Sequence, residues 1–289
     1  MKWISKDLVR NLLPELELDQ NKGDAGRVFL VGGSTGMTGA VTLGSLAALR
    51  CGSGLVTAGI PRSLNSILEI KLTEAMTLPL AEDSGLLSQD CISDVLSFAE
   101  NCQAVAIGPG ARTGTGTAAL VQALIEHYQG ILVIDADGIN VLAQHQEVLK
   151  RKKGNIIITP HPGEMSRLTG LTIDEIQNNR EETAKMYAQQ YGITVVLKGY
   201  HTVIADADEL YINPTGNPGM ATGGTGDVLT GMVLSFAGRK MLPIHAAVCG
   251  VYLHGLAGDL AAKGKTQFCL IASDLIQYLP EAFQRVINE

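Results

Sequence analysis

Aromatic residues are scarce, at 4% of 289 residues, and charged residues reach only 18%. The apolar 46% is therefore carried by Val, Ile, Leu and Ala, the side chains of strands buried on both faces and of the helices that cover them. Such a balance excludes a disordered chain, which cannot bury enough apolar surface to offset its entropy. A dense Lys/Arg stripe is missing and the net charge is −7, so the electrostatic footprint of nucleic-acid binding is excluded. The one basic run, Lys150-Arg151-Lys152-Lys153, precedes a strand-like segment and reads as a solvated turn. Five cysteines (Cys51, Cys91, Cys102, Cys249, Cys269) include no C-x-x-C pair. Neither a disulfide framework nor a zinc site is expected, and a reducing compartment is. No apolar run reaches the roughly 20 residues that span a bilayer. The segment Met1–Asp7 lacks the apolar stretch of a secretion signal. The expectation is a cytoplasmic protein without membrane or nucleic-acid partners.

What is abundant is glycine, 33 residues, much of it placed just after β-rich runs. Strand-like segments are Arg27–Val31, Leu55–Ile60, Val105–Ile107, Ile131–Ile134, Ile156–Ile158 and Thr194–Leu197. Thr202–Ala205 and Leu210–Ile212 read as a short hairpin. Helices are expected over Thr38–Cys51 and Thr115–Tyr128, and from the capping box Thr172-x-x-Glu175 to about Gln190. Long helical runs follow Gly226. With no linker or repeat, residues 1–289 read as a single α/β domain, a mostly parallel sheet between helices. Ligands of such sheets bind beyond the carboxyl ends of the strands. Gly32-Gly33-Ser34, Gly108-Pro109-Gly110, Asp135-Ala136-Asp137, His161-Pro162-Gly163-Glu164 and Lys198-Gly199 all follow strands and should meet on one rim.

The strongest chemical signal is Asn217-Pro218-Gly219-Met220-Ala221-Thr222-Gly223-Gly224-Thr225-Gly226-Asp227, leading into an apolar helix. Glycines turn several N–H groups inward, and a helix N-terminus adds positive partial charge, which together suit a phosphate. No Lys-Ser/Thr follows, so this is not the Walker loop. Asp227 has two readings, a helix cap or a general base beside a transferring phosphoryl group. Gly32 to Ala40 is either a second close approach to a ligand or a flexible connection. Lys198 is either a solvated strand-end lysine or a site residue. His161 is a turn histidine or a substrate contact, and His254 reads as helix packing. Asp135 and Asp137 could place Mg²⁺ or a substrate hydroxyl, or simply open a helix. No transition-metal cluster and no nucleophile elbow is present.

Gly223-Gly224-Thr225-Gly226-Asp227 resembles the anion-hole signature of ribokinase-like kinases. Gly23-Asp24-Ala25-Gly26-Arg27, Val31-Gly32-Gly33-Ser34, Ile107-Gly108-Pro109-Gly110, Asp135-Ala136-Asp137-Gly138, Thr159-Pro160-His161-Pro162-Gly163-Glu164 and Leu197-Lys198-Gly199 occur in one order. That order is similar to the ADP/ATP-dependent NAD(P)H-hydrate dehydratase family, from about Leu8 to the C-terminus. The resemblance implies a three-layer αβα ribokinase-like fold. It also implies dehydration of the S-form of NADH- or NADPH-hydrate. The C6 hydroxyl is phosphorylated and phosphate is then lost, leaving AMP or ADP. Mg²⁺ with ADP or ATP would be the cofactor set, and the lack of a targeting segment favours ADP. By the same resemblance Ala40, Gly110, His161 and Asp227 contact the hydrated dinucleotide, with Asp227 the base. Lys198, Gly199, Tyr200, His201 and Thr202 hold the nucleotide with Gly224, Thr225 and Gly226. Metal ligands are not assigned. A homo-oligomer, a tetramer, is implied. The alternatives are a ribokinase-like kinase of a small alcohol or vitamin precursor, and a non-catalytic nucleotide sensor.

Overall fold

The computed structural model describes residues 2–288. Its main sheet has ten strands in the order β1-β12-β11-β10-β9-β8-β7-β2-β3-β4. These are β1 (Lys2–Trp3), β2 (Arg27–Val31), β3 (Leu55–Pro61), β4 (Met76–Leu80), β7 (Ala104–Ile107), β8 (Ile131–Ile134), β9 (Asn155–Ile158), β10 (Thr194–Leu197), β11 (Val203–Ala205) and β12 (Leu210–Ile212). A separate hairpin pairs β5 (Glu82–Asp83) with β6 (Leu86–Leu87). Only the β10–β11 and β11–β12 pairings of the main sheet are antiparallel. The fold class is therefore the expected α/β arrangement with a mostly parallel sheet.

Alternate strand residues face opposite helix layers, as the two-residue pleat demands. Val28, Leu30, Ala104, Ala106 and Val196 enter one core. Phe29, Val31, Val105, Ile107, Val195 and Leu197 enter the other. Over the first face lie α1 (Lys6–Leu12), α2 (Thr38–Arg50), α3 (Asn65–Lys71), α10 (Thr225–Gly238), α11 (Pro243–Lys265) and α12 (Ala272–Ile287). The second carries α4 (Ile92–Ala99), α5 (Thr115–His127), α6 (Asp137–Leu142), α7 (Pro162–Thr169), α8 (Ile173–Asn178) and α9 (Arg180–Tyr191).

α10 is buried from Val228 to Gly238. It approaches its neighbours where side chains are absent. A methyl at Gly231 would strike the Gly44 carbonyl of α2, and one at Gly238 would strike Val28 of β2. α11 is long and apolar enough to cross a membrane by length and composition, with 23 residues, but 78% of its most apolar window is buried inside the molecule. It is a core helix, as the tight packing of a large domain allows.

One helix differs from its sequence reading. The run expected from Thr172 to about Gln190 is two helices, broken at Asn179 (φ −136, ψ 44). The Asn179 amide donates to the Glu175 carbonyl at 3.1 Å, taking an acceptor that the helix would otherwise use. Arg180 then turns to the end of β10 and donates to the carbonyls of Leu197 (2.8 Å) and Lys198 (3.3 Å). The capping box itself is formed, with Thr172 and Glu175 exchanging bonds.

Candidate active site

The strand-end motifs meet on one rim because their strands are parallel neighbours. The Gly33 amide donates to the Pro109 carbonyl at 2.8 Å. The Ser34 hydroxyl donates to the Gly110 carbonyl at 2.7 Å. The Lys198 amide donates to the Pro160 carbonyl at 2.8 Å. Gly108 sits at φ +122 with its Cα against the Asp135 carbonyl, where any side chain would collide.

At the centre lies a buried charge network. Asp135, 1% exposed at the end of β8, accepts from Lys198 Nζ (2.8 Å) and the Thr159 hydroxyl (2.7 Å) on Oδ1. Its Oδ2 accepts from the Thr230 hydroxyl at 2.7 Å. Burial alone would raise this carboxyl, but the Lys198 ammonium and the two hydroxyls outweigh it and hold it below the ordinary value. Lys198 is in turn 3.7 Å from Glu164 Oε2. Burial works against its charge, but Asp135 and Glu164 keep it protonated and raise it. Glu164 goes the other way. Burial and the neighbouring Asp135 push it up to about 7, despite Lys198. The solvated-lysine reading of Lys198 is thus corrected: its partner lies 63 positions earlier in the chain.

His161 caps α7. Its Nδ1 accepts from the amides of Gly163 (3.0 Å) and Glu164 (3.4 Å), and its own amide donates to Glu164 Oε2 at 2.7 Å. The ring proton is therefore left on Nε2, 3.5 Å from Glu164 Oε1. Burial and the Lys198 charge lower its pKa. His254 of α11 does more than pack between helices: it lines a cavity with Lys198 and Gly226, and its Nε2 meets the Thr225 carbonyl at 2.9 Å. Burial brings it down to about 4, so it is neutral and donates there.

Asp227 occupies the third position of α10, whose cap is Gly224 at φ +93. The cap reading is thereby corrected: Gly224, without a side chain, takes that place. Burial and the charge of Asp135 push Asp227 up to about 6. The preceding loop is pinned by the Thr225 hydroxyl, which donates to the carbonyls of Met220 (3.0 Å) and Thr222 (2.9 Å).

Beside this turn opens a cavity of about 460 Å³. Lys198, Gly199, Tyr200, His201, Thr202, Thr225 and Gly226 all line it. Gly224 does not. It is pressed against Leu43 and Ala272, where a Cβ would lie 2.6 and 3.0 Å from their carbons. Ala40, Gly110, His161 and Asp227 also stand outside the cavity lining. Ala40 and Gly110 are neighbours on the β2–β7 side of the rim, where a Cβ on Gly110 would sit 3.1 Å from that of Ala40. Sequence reasoning gave no role to Thr159, Glu164 or Thr230, or to Asn213–Gly216 of the cavity wall. Thr159 and Glu164 carried a signal, as the first and last residues of the His161 motif.

Among the described residues no cluster of three His, Cys, Asp or Glu side chains is arranged to hold a metal. Both Asp135 oxygens are occupied by its partners. Asp137 Oδ2 accepts the Arg112 amide at 2.8 Å, and the same residue opens α6. The donor set does not fit a protein-built Mg²⁺ cage, and the Mg²⁺ reading of the two aspartates is set aside.

Comparison with known proteins agrees with this geometry. A family model described as NAD(P)H-hydrate dehydratase matches residues 28–281. A bifunctional NAD(P)H-hydrate repair enzyme of Moorella thermoacetica is 46% identical over 97% of this chain, which spans about half (53%) of that protein. An ADP-dependent (S)-NAD(P)H-hydrate dehydratase of Bacillus subtilis is 35% identical, with 97% of each chain covered. The structure of an ADP/ATP-dependent NAD(P)H-hydrate dehydratase from Bacillus subtilis, co-crystallised with ATP and Mg²⁺, superposes with a TM-score of 0.83 at 32% identity, covering 99% of this chain and 98% of that one. Hydroxyethylthiazole kinase of Pyrococcus horikoshii, at 14% identity and a TM-score of 0.59 over 92% of each chain, shares the fold alone. The family model's match over residues 28–281 and the 35% identity across 97% of each chain with the Bacillus subtilis enzyme place this protein, with its ribokinase-like sheet, in the NAD(P)H-hydrate dehydratase family.

Proposed function

We propose that the chain dehydrates the S-form of NADH-hydrate and NADPH-hydrate at the expense of ADP or ATP, restoring NAD(P)H and releasing phosphate with AMP or ADP. The observation that carries this reading is Asp227. It sits in the first turn of a helix whose N-terminus borders the cavity, and its pKa of about 6 suits a general base near neutrality. In this reading Asp227 takes the proton of the C6 hydroxyl as that oxygen attacks the terminal phosphoryl group. The amides of Gly224 to Asp227 meet the developing negative charge, a contribution of ~3 kcal/mol per donor. Lys198, fixed by Asp135, adds a positive charge that cannot swing away. Hydroxide leaves poorly and phosphate leaves well, so phosphorylation makes feasible the later elimination, in which the C6–O bond breaks with its electron pair leaving on phosphate and the adjacent ring carbon gives up a proton to restore the double bond.

Lys198 to Thr202, Thr225 and Gly226 hold the nucleotide in the cavity, with Gly224 setting the turn. Ala40, Gly110, His161 and Asp227 face the hydrated dinucleotide, to which His161 presents its Nε2 proton. Mg²⁺ accompanies the nucleotide and is held by phosphates and water. ADP is the preferred donor, the protein works in the cytoplasm, and it assembles as a homotetramer, which light scattering after size exclusion tests directly. The decisive assay is absorbance at the reduced-nicotinamide band after mixing chemically hydrated NADH, Mg²⁺ and ADP or ATP. A nucleotide-dependent rise is expected. A flat trace with intact nucleotide binding would replace the dehydratase by a small-alcohol kinase.

A further inference from the structure

The strand β1 contributes a side chain that the site described so far does not use. Trp3 stands edge-on to the His201 ring, centroids 4.9 Å apart at 90°. His201 is stacked on Tyr200 at 3.7 Å and 29°. Tyr200 and His201 both line the cavity, and Tyr200 is 83% exposed. His201 holds φ +52, a conformation that L side chains with a Cβ rarely adopt and that needs outside support. Trp3 is placed to give that support. β1 is fixed to β12 by the Ile4 amide on the Ile212 carbonyl (2.9 Å) and by Lys2 on Glu209 (2.9 Å). β12 runs straight into the cavity wall at Asn213. The amide side chains of that wall are already engaged. Asn213 donates to the Thr215 carbonyl at 3.0 Å and Asn217 donates to Asp259 at 2.9 Å. Beside the aliphatic side chains of Met220, Leu229 and Val251, the cavity offers the flat rings of Tyr200 and His201 to a flat ligand.

We propose that Trp3 is a positioning residue: it braces His201, and through it Tyr200, as an aromatic wall on which the base of the nucleotide stacks. This rests on the reading that the cavity takes a nucleotide. Base–aromatic stacking tolerates any base because every base has a π face.

Trp3 is the only tryptophan in the chain, so its emission reports this position alone. The native protein is titrated with ADP and, separately, with pyrophosphate, which lacks a base, while calorimetry follows binding independently. ADP is expected to change the emission along the same saturation curve as the heat, and pyrophosphate to leave it unmoved. Trp3→Ala is expected to raise the KM for ADP about tenfold with kcat within about twofold, and Trp3→Phe to restore most of it. The thermal midpoint of both variants separates loss of the edge strand from loss of base binding. ADP heat with unmoved emission and an unchanged KM in Trp3→Ala overturns the proposal and leaves nucleotide-dependent chemistry standing. An equal emission change with pyrophosphate overturns base stacking. Absence of any ADP binding overturns both readings.

Discussion

The two halves of the rim are made of different material. On the β2–β7 side the chain presents bare backbone. Gly32 lies against the Pro109 carbonyl, Gly108 against that of Asp135, and Gly110 at φ +65 against Met37 and Ala40. On the β8–β10 side it presents charge, with Asp135, Glu164 and Lys198 held within one network. At Gly32, Gly108 and Gly110 the first half has no room for a side chain, and the second cannot lose one without stranding a partner. The same polar function, a surface ready for charged ligands, is therefore vulnerable sterically on one side and electrostatically on the other.

Removing Asp135 should have the largest effect. Asp135→Ala takes from the buried Lys198 ammonium its 2.8 Å partner, leaving Glu164 at 3.7 Å, strips the Thr159 hydroxyl of its acceptor, and is expected to cost about 3–5 kcal/mol in denaturant unfolding. The apolar double replacement Asp135→Leu, Lys198→Met should recover much of that stability while remaining inactive. A double variant as unstable as the single one would show that the network is more than a matched pair. Asp227→Asn comes next, with a loss of turnover of about 10²-fold or more at unchanged ADP affinity by calorimetry. Undiminished turnover would remove Asp227 from the chemistry. On the glycine side, Gly32→Ala should cost about 1–3 kcal/mol through overpacking against Pro109, seen as a lowered denaturation midpoint with unchanged slope.

The smallest effects are in pH. As a base with a pKa of about 6, Asp227 predicts that kcat/KM falls about tenfold per unit as pH drops below that value. Stability has the opposite sense. Asp227 and Glu164, at about 6 and about 7, bind protons in the folded state that the unfolded chain has already released. Their contribution is fully present below the ordinary carboxylate range and is lost as pH rises through those values. Asp135, lowered, contributes in reverse and loses its stabilisation only as pH falls below the ordinary range. Unfolding free energy measured from pH 4 to 7 should therefore flatten in Glu164→Gln; an unchanged slope would show that Glu164 is ionised throughout.

Much of this comparison was legible in the chain itself. Runs such as Ile131–Ile134 and residues 195–197 are apolar at every position and are followed by a charge, which fixes both the strand and its functional end. Converging loops follow once those strands are parallel. What could not be read is any property carried by distant pairs. Lys198 looks solvated until Asp135 is brought beside it, and Asp227 looks like a cap until Gly224 is seen to hold that place. The break at Asn179 depends on Arg180 finding carbonyls 17 and 18 residues away. β1 escaped notice because two residues have no period, so Trp3 gave no hint of its neighbour His201.

The eleven consecutive buried residues of α10, Val228 to Gly238, have a consequence for motion. Their amides face neither solvent nor a mobile loop, and the Gly231–Gly44 contact leaves no slack for a partial opening. Deuterium should enter this segment only when the whole domain unfolds, placing it among the slowest-exchanging parts of the molecule. The turn that would grip a phosphate is thus the accessible tip of a fully buried rod, and ligands would meet it already set rather than mould it on arrival.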